Sequence, residues 1–349
     1  MKRGAATRGR RGHGAVLIED VARLAGVSAI TVSRTLNKPQ VVALSTRKAV
    51  QAAVDRLGYI PNRLAGNLAS TQTRTVGLVI PSLFSNIFAD SVRGMTDVLG
   101  REGYELLLGV TDDSLDTEMK HVVSFLGQRV DGIILTGGLH QKRTRQLLLK
   151  SGMPVVETNV MLSNPIDMVV GYSNEEAGYA MTRHLAGCGY RRIGLVTTPT
   201  QNNDRALARR TGYLRALREF RLVQRDSLFA EATLTVAHGA RAFREMLSSN
   251  PDVEVVFLAH DMLAAGAMFE AGRRGLRVPE DIGVAGFDDL DIAQEFVPPL
   301  TTVRTQRYAI GSTAARMLLQ RIRGEVVPCT AVDMGFEIVQ RDSTRRPPV

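Results

Sequence analysis

Ala29, Ile30, Ser33, Arg34 and Asn37 fall on one side of the short helical stretch "SAITVSRTLN", whose other side carries Val32 and Leu36 four residues apart. The mixture suits a base-pair edge: arginine pairs with guanine, serine and asparagine reach phosphate or adenine, and alanine or isoleucine packs on a thymine methyl. A face selected for solubility alone more often carries lysine and glutamate.

A second set of residues lies far down the chain, at the ends of apolar runs. Ser82 and Phe88 follow "TVGLVI", Tyr172 and Asn174 follow a crossover, and Arg209 sits in the helix after "RIGLVT". His260 ends "VFLAH" and Asp288 ends "GVAGFD". Together they suit a polyol, since aromatic faces cover C–H surfaces while Asp, Ser and His satisfy hydroxyls taken from water. Arg209 is the most discriminating member, because its fork can hold a carboxylate in a bidentate pair, which favours a sugar acid.

The elements that must position the first set are short helices. "LIEDVARLA" spaces Ile18, Val21 and Leu24 helically until Gly26 breaks the run, and Ser28 is a good N-cap for the next helix. Val50, Val54 and Leu57 line a third helix that stops at Gly58. This is a helix-turn-helix pattern. "YIPNRLAGNLASTQTR" follows as a linker. Its stretch from Asn62 to Ala69 is too short for a stable isolated helix, and Gly66 costs about 1 kcal/mol relative to alanine, so it is expected to be disordered alone.

From Thr75 onward, apolar strand-like runs alternate with helical stretches, which predicts parallel sheets covered on both faces. "TVGLVI" leads into a helix containing Gly94 and "RIGLVT" into one containing Gly212, an echo that divides the body into two similar lobes. Ligands in such sheets bind beyond the carboxyl ends of the strands, here between the lobes. Asp112 and Asp113 read as a strand-end turn, and so do Asp288 and Asp289.

Charge separates the two parts. The chain of 349 residues has a net charge of +9, yet residues 1–75 hold 13 Lys/Arg against three acids and the remainder holds 31 against 32. The excess points to a small basic segment that meets a polyanion, attached to a near-neutral body. No apolar run is long enough to span a membrane and the N-terminus has no secretory h-region, so a cytoplasmic protein is expected. Cys188 and Cys329 form neither a metal-ligand spacing nor a disulfide framework. A dinucleotide fingerprint, phosphate loop, nucleophile elbow and zinc-binding histidine pair are all missing, which argues against an enzyme. Neither metal nor cofactor is expected. A transport-type sugar-binding protein would share the two lobes but not the basic segment.

"DVARLAGVSAITVSRTLN" with "GYIPNRLAGNLAS" resembles the headpiece and hinge of the lac-repressor (LacI/GalR) family, and "DGIILTGG", "GFDD" and "PPLTTV" extend the resemblance through nearly all the chain. "LVIPSLFSNIFADSVRG", "PVVET" and "DMGFEIV" are most similar to repressors of gluconate operons. The resemblance implies a small all-α helix-turn-helix headpiece plus an α/β two-lobed periplasmic-binding-protein-like (type I) effector domain with parallel sheets. It divides the chain into a basic disordered tail at 1–15, a DNA-binding domain at 16–60, a hinge at 61–72 and an effector-binding and dimerisation domain at 73–349.

The same resemblance implies that Ala29, Ile30 and Arg34 read bases, with Thr31, Ser33, Asn37, Asn62 and Arg63 completing the operator contacts. Leu68 would wedge into the minor groove beside its copy from a second subunit. Effector contact falls on Ser82, Phe88, Tyr172, Arg209, His260 and Asp288, with Arg307 lining or near the pocket. The implied partners are operator DNA, a sugar or sugar-acid effector such as gluconate or a ketogluconate, and a second copy in a homodimer. Leu17 stands where the family commonly has threonine, Ala43 where it often has serine, His260 where it has asparagine and Ser173 where it has aspartate. Each of the first two departures would remove about 1 kcal/mol of capping stability.

Overall fold

The computed structural model describes residues 16–60, 72–83 and 86–345. It divides into two units, the first ending at Thr73 and the second beginning at Arg74. The tail at 1–15 and the hinge residues Asn62, Arg63 and Leu68 lie outside the described residues.

Among the described residues the first unit contains three α-helices, α1 (Ile18–Ala25), α2 (Ala29–Asn37) and α3 (Leu44–Leu57), with a 3-10 turn at Pro39–Val41. Val21, Val32 and Val50 are fully buried at their meeting point, with Ala22, Ala53 and Tyr59 closing the core. Leu24, expected on the inner stripe of α1, points outward, and the smaller Ala22 and Ala25 pack inward instead. Gly26 adopts φ 68° and turns the chain between α1 and α2. The Ser28 hydroxyl accepts the Thr31 N–H at 3.2 Å and so caps α2 as expected. Leu17 has no side chain that could cap α1, but Asp20 reaches back to accept the Leu17 N–H at 3.0 Å, which offsets the missing threonine. Ala43 makes no side-chain cap for α3.

The second unit has the two expected lobes. One contains a six-stranded parallel sheet in the order β11-β5-β4-β3-β1-β2, built from β1 (Thr75–Ile80), β2 (Glu105–Val110), β3 (Gly132–Thr136), β4 (Val155–Thr158), β5 (Met168–Gly171) and β11 (Ala331–Asp333). Its helices are α4 (Ala89–Arg101), α5 (Leu115–Gly127), α6 (Lys142–Ser151) and α11 (Arg307–Ile322). The other contains a four-stranded parallel sheet, β7-β6-β8-β9, from β6 (Ile193–Thr197), β7 (Phe229–Glu231), β8 (Val255–Leu258) and β9 (Gly283–Ala285). Helices α7 (Asn174–Gly187), α8 (Asp204–Glu219), α9 (Val236–Ser249) and α10 (Asp261–Arg273) cover it. Strands β3, β4, β6 and β8 are buried almost throughout, as sheets covered on both faces require.

A small antiparallel pair, β10 (Thr302–Thr305) with β12 (Phe336–Val339), lies beside the second sheet. The chain passes between the lobes three times, after β5, after β10 and between β11 and β12. The Met334 N–H donates to the Gly171 carbonyl at 2.7 Å, so two of the crossings are bonded to each other.

Gly94 and Gly212 do equivalent work in the two lobes. A Cβ on Gly94 would come within 2.3 Å of the Tyr308 carbonyl oxygen on α11, and one on Gly212 within 1.9 Å of the Glu175 oxygen on α7. Each lobe thus has a helix pair in backbone contact, α4 with α11 and α7 with α8.

Candidate functional site

On α2, Ile30 is 66% exposed and Arg34 and Asn37 are exposed, while Thr31 and Ser33 are half-buried. Ala29 is half-buried as well and packs partly against the headpiece core. Ile30 and Arg34 are one turn apart, about 6 Å along the axis. Arg34 makes no ion pair among the described residues, whereas the Asn37 amide donates to the Ser33 hydroxyl at 3.4 Å. An unpaired guanidinium beside an exposed isoleucine suits a major groove.

In the second unit a cavity of about 450 Å³ opens between the lobes. Ser82, Phe88, Tyr172, Arg209, His260, Asp288 and Arg307 all line it. Most of the wall follows the carboxyl ends of parallel strands: Ser82 after β1, Asp112 and Asp113 after β2, Asn159 after β4, Thr198 after β6, His260 after β8 and Asp288 after β9. Phe88, Ile87, Pro81, Pro199 and Leu234 supply apolar surface. Asn174 does not line the cavity. It stands behind Arg209, accepting from the Arg209 Nε at 2.9 Å and donating to the Asn159 carbonyl at 2.9 Å. Ser173 caps α7 by accepting the Glu176 N–H at 3.1 Å, a role aspartate fills equally well, which accounts for serine at this position.

Arg209 is buried, with its guanidinium stacked 3.9 Å from the Phe287 ring centre. Its Nη1 donates to the Ala259 carbonyl at 2.6 Å and to His260 Nε2 at 3.3 Å. His260 Nδ1 lies 2.9 Å from Asp288 Oδ2. Since the Arg209 guanidinium can only donate, His260 Nε2 accepts and Nδ1 is left to donate to Asp288, and burial holds the imidazole below its ordinary pKa despite the facing Asp288. Burial likewise raises the Tyr172 phenol. Among the described residues Arg209 makes no ion pair, so a positive charge is kept in a low-dielectric wall with only neutral groups bonded to it.

The other two guanidinium groups in the wall are already paired. Arg307 donates to Asp90 at 2.9 Å and to the Asp288 carbonyl, bridging the lobes. Arg205, which the sequence reading did not single out, lines the cavity one turn before Arg209 on α8. It faces Asp113 at 3.3 Å across the cleft and Asp204 at 3.1 Å. The i, i+4 spacing of Arg205 and Arg209 was the available signal. Asp204 also accepts the Gly138 N–H from the opposite lobe at 2.7 Å. Asp112 and Asp113 do form a strand-end turn, with φ 49° and 57°, but they also face the cavity. Burial raises the Asp113 carboxyl above its ordinary pKa against the pull of Arg205.

The Asp288–Asp289 turn, with φ 114° and 52°, is held from three sides. Asp261 accepts the Leu290 N–H and the Thr302 hydroxyl, both at 2.7 Å, while Asp289 accepts from Arg304 at 2.6 Å and Arg341 at 2.7 Å. Complete burial drives the Asp261 carboxyl far above its ordinary pKa. These residues do not touch the cavity, yet they fix the direction of the Asp288 carboxylate.

Comparison with known proteins agrees with both units. Residues 17–62 match the family described as bacterial regulatory proteins, lacI family, and residues 73–341 match periplasmic binding proteins and sugar binding domain of LacI family. The chain is 36% identical over 322 residues to the HTH-type transcriptional regulator GntR of Escherichia coli, covering 92% of this chain and 96% of that one. It is 37% identical over 335 residues to GntR of Pseudomonas aeruginosa, with coverage of 96% and 97%. A LacI family transcriptional regulator from Silicibacter pomeroyi superposes with a TM-score of 0.88 at 32% identity, over 95% of this chain and 99% of that one. The lac repressor dimer bound to operator and the anti-inducer ONPF gives a TM-score of 0.80 at 27% identity, over 95% and 99%. No helix among the described residues is long and apolar enough to cross a membrane. The regulators among these relatives are not enzymes, and the chain belongs to the LacI family, as a DNA-binding transcriptional regulator with a two-lobed effector domain.

Proposed function

We propose that the protein is a dimeric repressor whose grip on its operator is set by a sugar acid, gluconate or a ketogluconate, bound between the lobes. The observation that carries this reading is Arg209: a buried guanidinium without a carboxylate partner among the described residues, facing a cavity that also offers hydroxyl partners. A ligand carboxylate supplies the missing charge, and Asp288, His260, Ser82 and Tyr172 take hydroxyls while Phe88 covers C–H surface. The resemblance of "LVIPSLFSNIFADSVRG", "PVVET" and "DMGFEIV" to repressors of gluconate operons favours an acid over a neutral sugar.

Operator contact is assigned to Ile30, Arg34, Ser33, Asn37, Thr31 and Ala29 of α2, with Asn62, Arg63 and the Leu68 wedge from the hinge. One reading helix covers half a site, so two copies bind a two-fold operator. The effector acts by binding one arrangement of the lobes more tightly than another. Gel shifts on the DNA upstream of the gene, with gluconate, ketogluconates and neutral sugars added in turn, test the reading. Release or strengthening by the acids alone supports it, and a response to neutral sugars alone refutes it.

A further inference from the structure

The three guanidinium groups of the cleft are not equivalent. Arg307 is neutralised by Asp90 at 2.9 Å, and Arg205 lies between Asp113 at 3.3 Å and Asp204 at 3.1 Å. Arg209 has neutral partners only. We infer that Asp113 determines effector specificity: by neutralising Arg205 from the opposite lobe it limits the cleft to acids with one negative group and turns away sugar diacids. The inference rests on the sugar-acid reading above.

Both oxygens of Asp113 are engaged at the N-terminal end of α8, Oδ1 by Arg205 Nη2 and Oδ2 by Nδ2 of the capping residue Asn203 at 3.4 Å. Arg205 Nη1 also donates to the Thr136 carbonyl at 3.4 Å, and the side chain is only 11% exposed. Freeing Arg205 for a ligand therefore breaks bonds to two carboxylates and a carbonyl. A six-carbon monoacid seated on Arg209 needs no such change, since its far end brings hydroxyls that Asp112 and Asp113 can accept from. A diacid in the same place brings a second carboxylate to a wall of Asp112 and Asp113, where it loses water and meets like charge. Replacing the Asp113 carboxylate with an amide removes one of those negative charges and leaves Arg205 with a single acidic partner.

Calorimetric titration of the full chain with gluconate and with glucarate, which differ by one terminal carboxylate, tests this. The wild type should prefer gluconate by at least about tenfold, and Asp113→Asn should narrow the preference to within about threefold by improving glucarate affinity. Arg205→Gln, which removes the cation and leaves Asp113 in place, should widen it. The double variant Asp113→Asn/Arg205→Gln should return to a clear gluconate preference. Retained operator binding verifies that each variant is folded. If the Arg205–Asp113 pair only clasps the lobes, Asp113→Asn weakens both acids alike, and that result overturns the inference. A wild type that binds glucarate as tightly as gluconate also overturns it. A wild type that ignores both acids but binds glucitol removes the sugar-acid reading, and this inference with it.

Discussion

The Arg209 guanidinium carbon lies over the Phe287 ring, 3.9 Å from its centre, so the cation that faces the cleft is held by an aromatic surface instead of a carboxylate. Two further bonds, to Asn174 and the Ala259 carbonyl, aim it. A charge held this way is preorganised for an anion at little reorganisation cost.

Arg209→Met keeps the apolar stem and removes the charge. Gluconate affinity should fall at least about tenfold and the effector response should vanish, while effector-free operator binding persists. The bare Ala259 carbonyl and Asn174 amide oxygen should lower stability by about 1–3 kcal/mol. Calorimetry alongside gel shifts measures both, and a variant that still responds like wild type would take Arg209 out of the site.

Arg34→Ala should weaken specific operator binding by about 1–3 kcal/mol and flatten preference at one position of each half-site, with non-specific binding much less affected. Effector affinity should not change. Competition against scrambled DNA at fixed salt distinguishes loss of reading from general loss of charge.

Glycine substitutions separate close packing from helix propensity. A Cβ on Gly212 would overlap the Glu175 backbone, so Gly212→Ala should destabilise by about 1–3 kcal/mol. Gly100, in α4 with open space around it, should tolerate alanine and gain up to about 1 kcal/mol. Urea denaturation of the two variants should give shifts of opposite sign.

His140 sits between two buried carboxylates, 2.9 Å from Glu118 and 3.2 Å from Glu157. Burial alone would lower its pKa, but hydrogen bonds and charge from both glutamates outweigh that and push it up to about 9. Because this lies above the value of 6.5 expected when unfolded, its stabilisation is full below about pH 6.5 and is lost as pH rises through about 9. The melting temperature should decline across that window, and His140→Gln should remove most of the decline. An unchanged pH profile in the variant would reject the assignment.

The residues at strand ends were legible because each follows a buried apolar run, and a run's polar terminus is where a parallel sheet presents side chains. Arg205 and Asp113 were harder to see, since their pairing spans 92 positions and depends on how the lobes face each other. Strands β5, β7, β10, β11 and β12 also escaped the sequence reading. They are three or four residues long, as are β4, β8 and β9, but β7 (Phe229–Glu231), β10 (Thr302–Thr305) and β11 (Ala331–Asp333) carry no continuous apolar run to mark them. Leu24 shows the limit of helical spacing as a guide to burial: it fits the apolar stripe of α1 yet is exposed, while Ala22 and Ala25 pack inward.

The backbone-to-backbone helix pairs leave little room for sliding inside either half of the sensor. Any relative motion of the lobes is thereby left to the three short crossings, and two of these bear directly on the cavity wall, with Tyr172 immediately after β5 and Arg307 immediately beyond the crossing after β10. Side chains that line the cleft are thus also part of the joints between its halves, so exchanging them alters the joint as well as the wall.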